Sequence, residues 1–287
     1  MKSRKIIALF TMLGLFLTLN VLNSKAEESQ PQNTPYNPYN VIINNYTLAW
    51  NDEFEFFDTS KWQLDNEAKR HDGWNTKKAF EVKDGNLVIK AITENNVHYT
   101  AVLTTDNKFE ADYGYYEAKI KFNNPSGVWS VFWLYSRDVE KYVGDINKGG
   151  IEIDVVEHRN FDNDQKDIWD FAAHTLHWNT YGPEHLCRGA MGRNFNIRDG
   201  FHVYGVDRRP DKTLFYVDGE LTWEQEFATS KKEFIILSTE IGGMVWAGKL
   251  LDEYNHETMT VDYIRYFAPQ TKILAEKVEK KGTPAGE

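Results

Sequence analysis

Short runs in which apolar and polar residues alternate recur along most of the chain, and they constrain its fold more than any other feature. Alternation of this kind predicts β-strands that turn one face to a core. The runs are GNLVIKAIT, YGYYEAKIKF, VWSVFWLYS, IEIDVVEH, FAAHTLHWN, FHVYGVDRR, TLFYVDGEL, FIILSTEIGG and MTVDYIRYF. Turn-forming sequences such as KDGN, NNPSG and VDGE separate them, and long helical periods are scarce. The sequence therefore predicts an all-β fold, a sandwich of two antiparallel sheets.

The chain divides into four predicted segments around this pattern. Residues 1–26 contain basic residues, an apolar stretch and small residues ending at Ala26, which predicts a secretory signal peptide cleaved after Ala26. A single N-terminal membrane anchor is the alternative interpretation. Residues 27–45 are rich in Pro, Asn and Gln and predict a flexible leader. Residues 46–268 hold the alternating runs, and residues 269–287 form a charged tail.

Charge and cysteine content argue against several function classes. The formal net charge is −10, and loss of the first 26 residues, with four basic groups and no acids, would make it −14. Such an acidic chain opposes binding to nucleic acid or to an anionic membrane surface. Cys187 is the single cysteine, so neither an internal disulfide nor a lipid anchor after the signal is expected. We expect a secreted or periplasmic monomer that is not inserted in a membrane after signal cleavage.

The residue types available for chemistry favour sugars over nucleotides. No phosphate-binding glycine loop, HExxH pair or recognisable Cys/His metal-binding motif occurs, so the sequence supports neither nucleotide nor zinc chemistry, and no cofactor for catalysis is expected. Nine Trp and fifteen Tyr are available, and exposed aromatic rings stack against the flat faces of sugars.

The stretch GGIEIDVVEHRN places three acids in a run that is otherwise typical of a buried strand. Glu152 and Asp154 are two residues apart and share a face of a regular strand, whereas Glu157 would fall on the opposite face. A β-bulge between Asp154 and Glu157 resets the alternation and brings Glu157 round to the other two. The sequence therefore predicts a bulged strand with three carboxyl groups on one face.

Three carboxyls on one face suit cleavage of a glycosidic bond. Retaining hydrolysis needs one carboxylate that attacks the anomeric carbon and one carboxylic acid that protonates the leaving oxygen, roughly 5 Å apart. Like charges in close proximity raise the pKa of one group, which can then act as the acid. We assign Glu152 as nucleophile, Glu157 as acid and then base, and Asp154 as the group that orients the nucleophile. An edge strand with solvated acids, or a calcium-binding cluster, is the alternative.

The run EIDVVE resembles the E-x-D-x-x-E signature of glycoside hydrolase family 16 in its β-bulged form, which occurs in laminarinases, agarases, porphyranases and carrageenases. The resemblance extends in family order through further segments over roughly residues 48–268. These segments are LAWNDEF, DTSKW, VKDGNLVIKA, YGYYEAKIKF, GVWSVFWLYS, TLHWN, FHVYGVD, LFYVDGE and VDYIRYF. The resemblance implies a β-jelly-roll with a substrate cleft across its concave sheet, and an endo-acting, retaining enzyme for a β-linked polysaccharide.

The resemblance and the loop contexts also indicate residues that bind the sugar. Trp129 and Trp133 alternate onto one face and match cleft-facing positions of the family, whereas Phe132 should point to the core. Trp74 and Trp246 lie in loops, where an exposed ring is a candidate sugar platform. A core position is the alternative for each Trp. His177 matches a family position from which an imidazole can reach the acid, and a structural hydrogen bond is the alternative.

The chain departs from the family pattern at two places that bear on the substrate. The sequence GWNTKKAF lacks the Asn-Glu and the Gln or Tyr that follow the loop Trp in many family glucanases, which weakens a laminarinase assignment. The sequence STEIGGMVW replaces the usual Asn-x-Ala before the Gly pair and places Glu240 near the cleft mouth. The substrate class thus remains a β-1,3/1,4-glucan or a marine-type β-galactan.

The resemblance further implies a structural calcium site away from the chemistry, with Gly85 and Asp262 as ligands. A turn cap is the alternative role for Asp262. Two other functions share the fold: a transglycosylase, in which a sugar replaces water in the second step, and a non-catalytic glycan-binding protein. The presence of all three acids favours the enzyme.

Overall fold

The computed structural model describes residues 46–179, 181–193, 197, 200–242 and 245–270. The predicted signal peptide, the leader and residues 271–287 of the predicted tail lie outside these residues. Within them the chain forms nineteen strands, one short helix α1 (Ile146–Gly149) and two 3-10 helices (Lys77–Ala79 and Val245–Ala247). The strands are β1 (Tyr46–Asp52), β2 (Gln63–Leu64), β3 (Lys69–Arg70), β4 (Gly73–Asn75), β5 (Phe80–Lys83), β6 (Asn86–Glu94), β7 (Val97–Thr100), β8 (Val102–Thr104), β9 (Glu110–Ala111), β10 (Gly114–Phe122), β11 (Val128–Tyr135), β12 (Glu152–Arg159), β13 (Phe171–Trp178), β14 (Leu186–Arg193), β15 (His202–Arg208), β16 (Thr213–Val217), β17 (Glu220–Gln225), β18 (Glu233–Ile241) and β19 (Asn255–Pro269).

These strands form two sheets, which confirms the predicted all-β fold. The eleven-stranded sheet has the order β17-β16-β15-β10-β19-β6-β7-β4-β3, with β1 also paired to β19 and β5 to β6. The eight-stranded sheet has the order β14-β13-β12-β11-β18-β8-β2, with β9 also paired to β18. Neighbouring strands are antiparallel except for the short parallel pair β4 and β7, which the sequence did not predict. Among the described residues, no helix is both long enough and apolar enough to span a bilayer.

The core lies between the two sheets and takes alternate residues from each strand. In β11, Phe132 and Leu134 are fully buried in the main core, as the alternation predicted for Phe132. Val131 and Trp133 point the other way and join a smaller apolar cluster on the outer face of the eight-stranded sheet. Burying a side chain such as Phe132 stabilises the fold by about 1.5–3 kcal/mol.

A buried ion pair fixes the position at which β12 begins. Arg208 of β15 lies 3.1 Å from the Glu233 carboxylate of β18, and the two side chains are 3% and 0% exposed. Glu233 also accepts a hydrogen bond of 2.8 Å from the backbone N–H of Ile151, the residue before β12. The Arg208 guanidinium donates to the backbone carbonyls of Ala111 and Lys231, at 2.9 and 3.0 Å. The pair therefore ties the start of the acid-bearing strand to both sheets.

Candidate active site

Strand β12 contains the predicted bulge. In its register with β13, Glu152 lies opposite His177, Asp154 opposite Thr175, and Glu157 opposite Ala173. Three steps along β12 thus match two along β13, and the register shifts between Asp154 and Glu157. Because the β13 partners are alternate residues, all three acids lie on the same face of the sheet.

The two valines between the acids show how the bulge is accommodated. Val155 and Val156 are both fully buried in the main core, where a regular strand would bury only one of them. The Val155 carbonyl accepts a hydrogen bond of 2.6 Å from Nδ1 of His174, which is itself fully buried. The other ring nitrogen of His174 accepts from the Thr222 hydroxyl at 2.8 Å. Burial lowers the pKa of His174 to about 4, so the ring is neutral and can make both bonds.

The three carboxyl groups are withdrawn from water. Glu152 and Asp154 are 7% and 3% exposed, and Glu157 is half-buried. Burial raises the pKa of all three carboxyls well above the ordinary range, and the charge of Asp154 raises the pKa of Glu152 and Glu157 further. Three such groups cannot all ionise comfortably near neutral pH, so the cluster retains protons where exposed acids would lose them.

Each carboxyl has a different partner, which separates the roles that the three can play. The Tyr181 phenol donates a short hydrogen bond to Glu152, and this bond lowers the pKa of Glu152 against the effect of burial. Glu157 has a weaker partner, the Thr175 hydroxyl at 3.3 Å. The Tyr181 phenol therefore favours the ionised form of Glu152, whereas burial and the charge of Asp154 favour the protonated form of Glu157.

His177 contacts the middle acid. Its Nε2 lies 3.3 Å from Asp154 Oδ2, and its Nδ1 lies 2.9 Å from Nε2 of His185. The nearest ligand atoms of Glu152, Asp154 and His177 all lie within 4.8 Å of one another. The imidazole thus contacts Asp154, and it also lowers the pKa of Glu157, the acid that the sequence predicted it could reach.

The acids lie in a cleft with a volume of about 550 Å³. Trp129, Trp133 and Trp246 line it. The rings of Trp129 and Trp246 meet edge to face with centroids 5.5 Å apart, and the Arg159 guanidinium lies 4.1 Å from the centroid of Trp246. An aromatic wall beside a cation can contact both the apolar face of a sugar and an anionic substituent.

The cleft continues past the acids into a second cavity of about 490 Å³. Both cavities are lined by Arg70, His71, Trp133, Glu152 and Tyr181, so Glu152 lies where the two arms of the cleft meet, whereas Asp154 and Glu157 line the first arm.

The sequence predicted Glu240 near the mouth of the cleft. This prediction is wrong, because Glu240 is buried, although it does line the first cavity. It is 2% exposed, and its Oε1 accepts a hydrogen bond of 2.8 Å from Nε of Arg70. Burial raises the pKa of Glu240 to about 7, and Arg70 lowers it. Arg70 also lies 5.8 Å from the ring centroid of Trp133, so the pair holds a cation over the cleft floor.

The remaining predicted binding residues lie elsewhere. Trp74 is 42% exposed on β4 of the eleven-stranded sheet and does not line either cavity among the described residues. Gly85 adopts a positive φ of 72° in the turn between β5 and β6. Asp262 lies 2.6 Å from the Lys119 ammonium. That pairing competes with a cation at Asp262, so the residues present fit calcium poorly, and the calcium site stays a prediction.

Several site residues were not predicted. Arg159 continues the parity of Glu157 beyond the bulge, so the sequence contained the signal that places it in the cleft. Arg70 and His71 lie just before Trp74, and a search around that loop would have included them. Tyr181 follows β13 in a polar loop that matches no motif, and only the fold brings it to Glu152.

Carboxyl groups that line an open cleft are the catalytic arrangement of the class of glycoside hydrolases. The sequence profile of the β-porphyranase A-D GH16 domain matches residues 46–269. The chain therefore belongs to glycoside hydrolase family 16.

Individual relatives cover much of the described domain. The clotting factor G alpha subunit of Tachypleus tridentatus is 30% identical over 241 residues, which is 77% of this chain and 34% of the relative. The keratan-sulfate endo-1,4-beta-galactosidase of Sphingobacterium multivorum is 26% identical over 257 residues, which is 80% of this chain and 57% of the relative. The chain thus spans between a third and three fifths of these curated relatives. The laminarinase catalytic domain of Thermotoga petrophila shares the fold, with a TM-score of 0.65, 22% identity, and coverage of 78% of this chain and 98% of that one.

Proposed function

We propose that the chain is an endo-acting, retaining glycoside hydrolase that cleaves a β-linked galactan carrying anionic groups. Glu152 is the nucleophile, Glu157 the acid and then the base, and Asp154 the group that orients Glu152. The observation that carries the proposal is the bulge in β12, because it turns Glu157 to the face of Glu152 and Asp154, so that all three carboxyls line one cleft.

The reaction proceeds in two steps. Glu157 gives its proton to the glycosidic oxygen while the Glu152 carboxylate attacks the anomeric carbon, so the sugar is held as an ester and the leaving chain departs as an alcohol. Water, deprotonated by Glu157, then attacks the same anomeric carbon, so the bond from this carbon to Glu152 breaks, Glu152 leaves as a carboxylate and Glu157 is protonated again. The hydrogen bond from Tyr181 supports an ionised Glu152, and burial with a weak partner supports a protonated Glu157.

Endo action rests on the two arms of the cleft. A chain cut in its interior must extend on both sides of the scissile bond, and open space continues on both sides of Glu152. A pocket closed on one side would favour removal of terminal sugars instead.

The proposal of an anionic galactan as substrate is based on arginine side chains that lie in the cleft although the protein as a whole is acidic. Arg159 lies against Trp246 in the first arm, and Arg70 lies over Trp133 between the arms. Arg137 lines the second arm, where it pairs with Asp106. Guanidinium groups recognise sulfate-like anions by bidentate hydrogen bonds. The family profile and the second relative are both named for β-galactan hydrolases, and this agrees with the choice.

A polysaccharide panel tests the proposal. Porphyran, agarose, κ-carrageenan, keratan sulfate, laminarin and mixed-linkage glucan are each incubated with the enzyme, and reducing ends and product lengths are measured. We expect oligosaccharides from a sulfated galactan, and Arg159→Gln should raise KM for that substrate more than for a neutral galactan. Cleavage of laminarin alone would reject the galactan. Binding without cleavage would indicate a glycan-binding protein, and longer products would indicate transglycosylation.

Secretion is part of the same proposal, because an enzyme that cleaves a polysaccharide in its interior meets this substrate outside the cytoplasm. The predicted signal peptide of residues 1–26 supports it. N-terminal sequencing of the protein released by its native host should begin at Glu27; an intact N-terminus in the membrane fraction would contradict it.

A further inference from the structure

The antiparallel pair of β13 and β14 brings three metal-binding side chains together at the edge of the cleft. His177 lies directly opposite Cys187 in the register of this pair. His185 precedes β14 by one residue and lies two residues before Cys187, on the same side. One ligand atom from each of the three lies within 4.8 Å of the other two. The spacing H-x7-H-x-C matches no common zinc motif, so this group was not predicted from the sequence.

The distances suit a tetrahedral zinc ion. Zinc binds imidazole nitrogen at about 2.0–2.1 Å and thiolate sulfur at about 2.3 Å, which places two nitrogen ligands roughly 3.3 Å apart. Nδ1 of His177 and Nε2 of His185 are 2.9 Å apart, and their rings are nearly parallel, with an angle of 8°. A small separation of the two rings would admit the ion. Cys187 is exposed and His185 half-buried, so the ion can enter from solvent and keep water as a fourth ligand.

The far side of His177 has the arrangement that such a site needs. Histidines that bind a metal through one nitrogen usually donate the other N–H to a carboxylate, which fixes the tautomer and ring orientation. Nε2 of His177 points at Asp154 with a separation of 3.3 Å. The order carboxylate, imidazole, metal position is therefore complete without any change in β12.

We propose that His177, His185 and Cys187 bind zinc, and that bound zinc inhibits the enzyme. The thiol of Cys187 loses its proton on binding. The ion draws electron density from His177 and strengthens its hydrogen bond to Asp154, so Asp154 no longer orients Glu152 as in the metal-free protein. The inhibition rests on the proposed hydrolase function, whereas the metal site does not.

Zinc binding to the full chain, kept reduced and freed of metal, is measured by titration calorimetry and by competition with a chromogenic chelator. We expect one zinc per chain, and at least about tenfold weaker binding in Cys187→Ser and in His185→Ala. The exposed His256→Ala is the matched control and should bind as the parent does. Zinc should also protect Cys187 from alkylation by iodoacetamide, and calcium should not. Equal affinity in the parent, Cys187→Ser and His185→Ala would overturn the site.

Hydrolysis of the polysaccharide identified by the panel is then followed with and without zinc. We expect zinc to inhibit the parent and the His256→Ala variant but not Cys187→Ser, at concentrations that match the binding curve. Stoichiometric binding with unchanged hydrolysis would overturn the inhibition. A metal-free enzyme that cleaves no polysaccharide would instead reject the proposed function, and the binding measurements would still decide the metal site.

Discussion

Two buried acidic groups lie at the start of β12, and their surroundings differ: the first is Glu233 alone with its cation, and the second contains Glu152 and Asp154. Glu233 is fully buried, faces Arg208 at 3.1 Å and accepts the Ile151 N–H. Glu152 and Asp154 are almost as deeply buried, but their neighbours are another acid, a phenol and an imidazole. Burial raises the pKa in both places. The first group is compensated inside the protein and holds the fold together, whereas the second faces an open cleft and keeps its interactions available for a ligand.

The largest expected effect is the loss of activity on substitution of Glu152, which belongs to the acids in the cleft. Glu152→Gln preserves shape and the Tyr181 contact but removes the nucleophile, so we expect kcat to fall by about 10⁴-fold, or about 5.5 kcal/mol. Thermal unfolding should change little, because the substitution removes a charge from a cluster of acids. Activity above about a tenth of the parent value would contradict the assignment.

At the buried pair of Arg208 and Glu233 we expect a substitution to lower stability, in contrast to the loss of activity expected at Glu152. Arg208→Met leaves Glu233 buried without its cation and should lower the free energy of unfolding by about 3–5 kcal/mol, measured by urea denaturation. The double variant Arg208→Met, Glu233→Gln removes both charges, keeps an acceptor for the Ile151 N–H and should recover part of that loss. Equal stability of the single variant and the parent would show that the pair does not hold β12.

The bulge itself is tested through His174. His174→Phe leaves the Val155 carbonyl buried without its donor and should lower the free energy of unfolding by about 1–3 kcal/mol. Activity of the folded fraction should also fall, because Glu157 depends on the bulge for its direction. Thr222→Val is the matched control, since it removes the other contact of His174 and leaves the Val155 bond. The control should retain more activity, and the reverse order would contradict this role of His174.

A smaller effect is expected on the pH profile. The Thr175 hydroxyl lowers the pKa of Glu157, so Thr175→Val should raise that pKa and move the alkaline limb of the kcat/KM profile to higher pH. Activity needs Glu157 protonated, so it is present below this pKa and lost above it. Thr175→Ser retains the hydroxyl and should leave the limb in place. A shift toward lower pH in Thr175→Val would contradict the acid role.

Calcium at Gly85 and Asp262 has the smallest expected effect. Lys119 already neutralises Asp262, so a chelator should shift the melting temperature by less than about 2 °C. In Lys119→Ala the carboxylate is released, and added calcium should then stabilise the protein more than it stabilises the parent. A large chelator shift in the parent would show that calcium displaces Lys119.

The sequence was sufficient to predict the all-β fold and the shared face of the three acids, because both depend on the local alternation of apolar and polar residues. Alternation identified the strands, and the single break in the parity of β12 identified the bulge. His174, Tyr181 and Arg70 could not be found in the same way, because their roles depend on which strands and loops the topology brings together. Glu240 was placed wrongly for a related reason: it is buried and hydrogen-bonded to Arg70, 170 residues away, and local sequence does not show that contact.

The most direct test of the account is to look for the covalent intermediate. The enzyme is denatured with acid during turnover of its polysaccharide, digested with a protease, and the peptide containing residues 152–157 is analysed by mass spectrometry. We predict a glycosyl ester on Glu152, absent from Glu152→Gln, together with a first product that retains the β-configuration by NMR. An adduct on Glu157, or an inverted product with no adduct, would contradict the roles assigned to the three acids of β12.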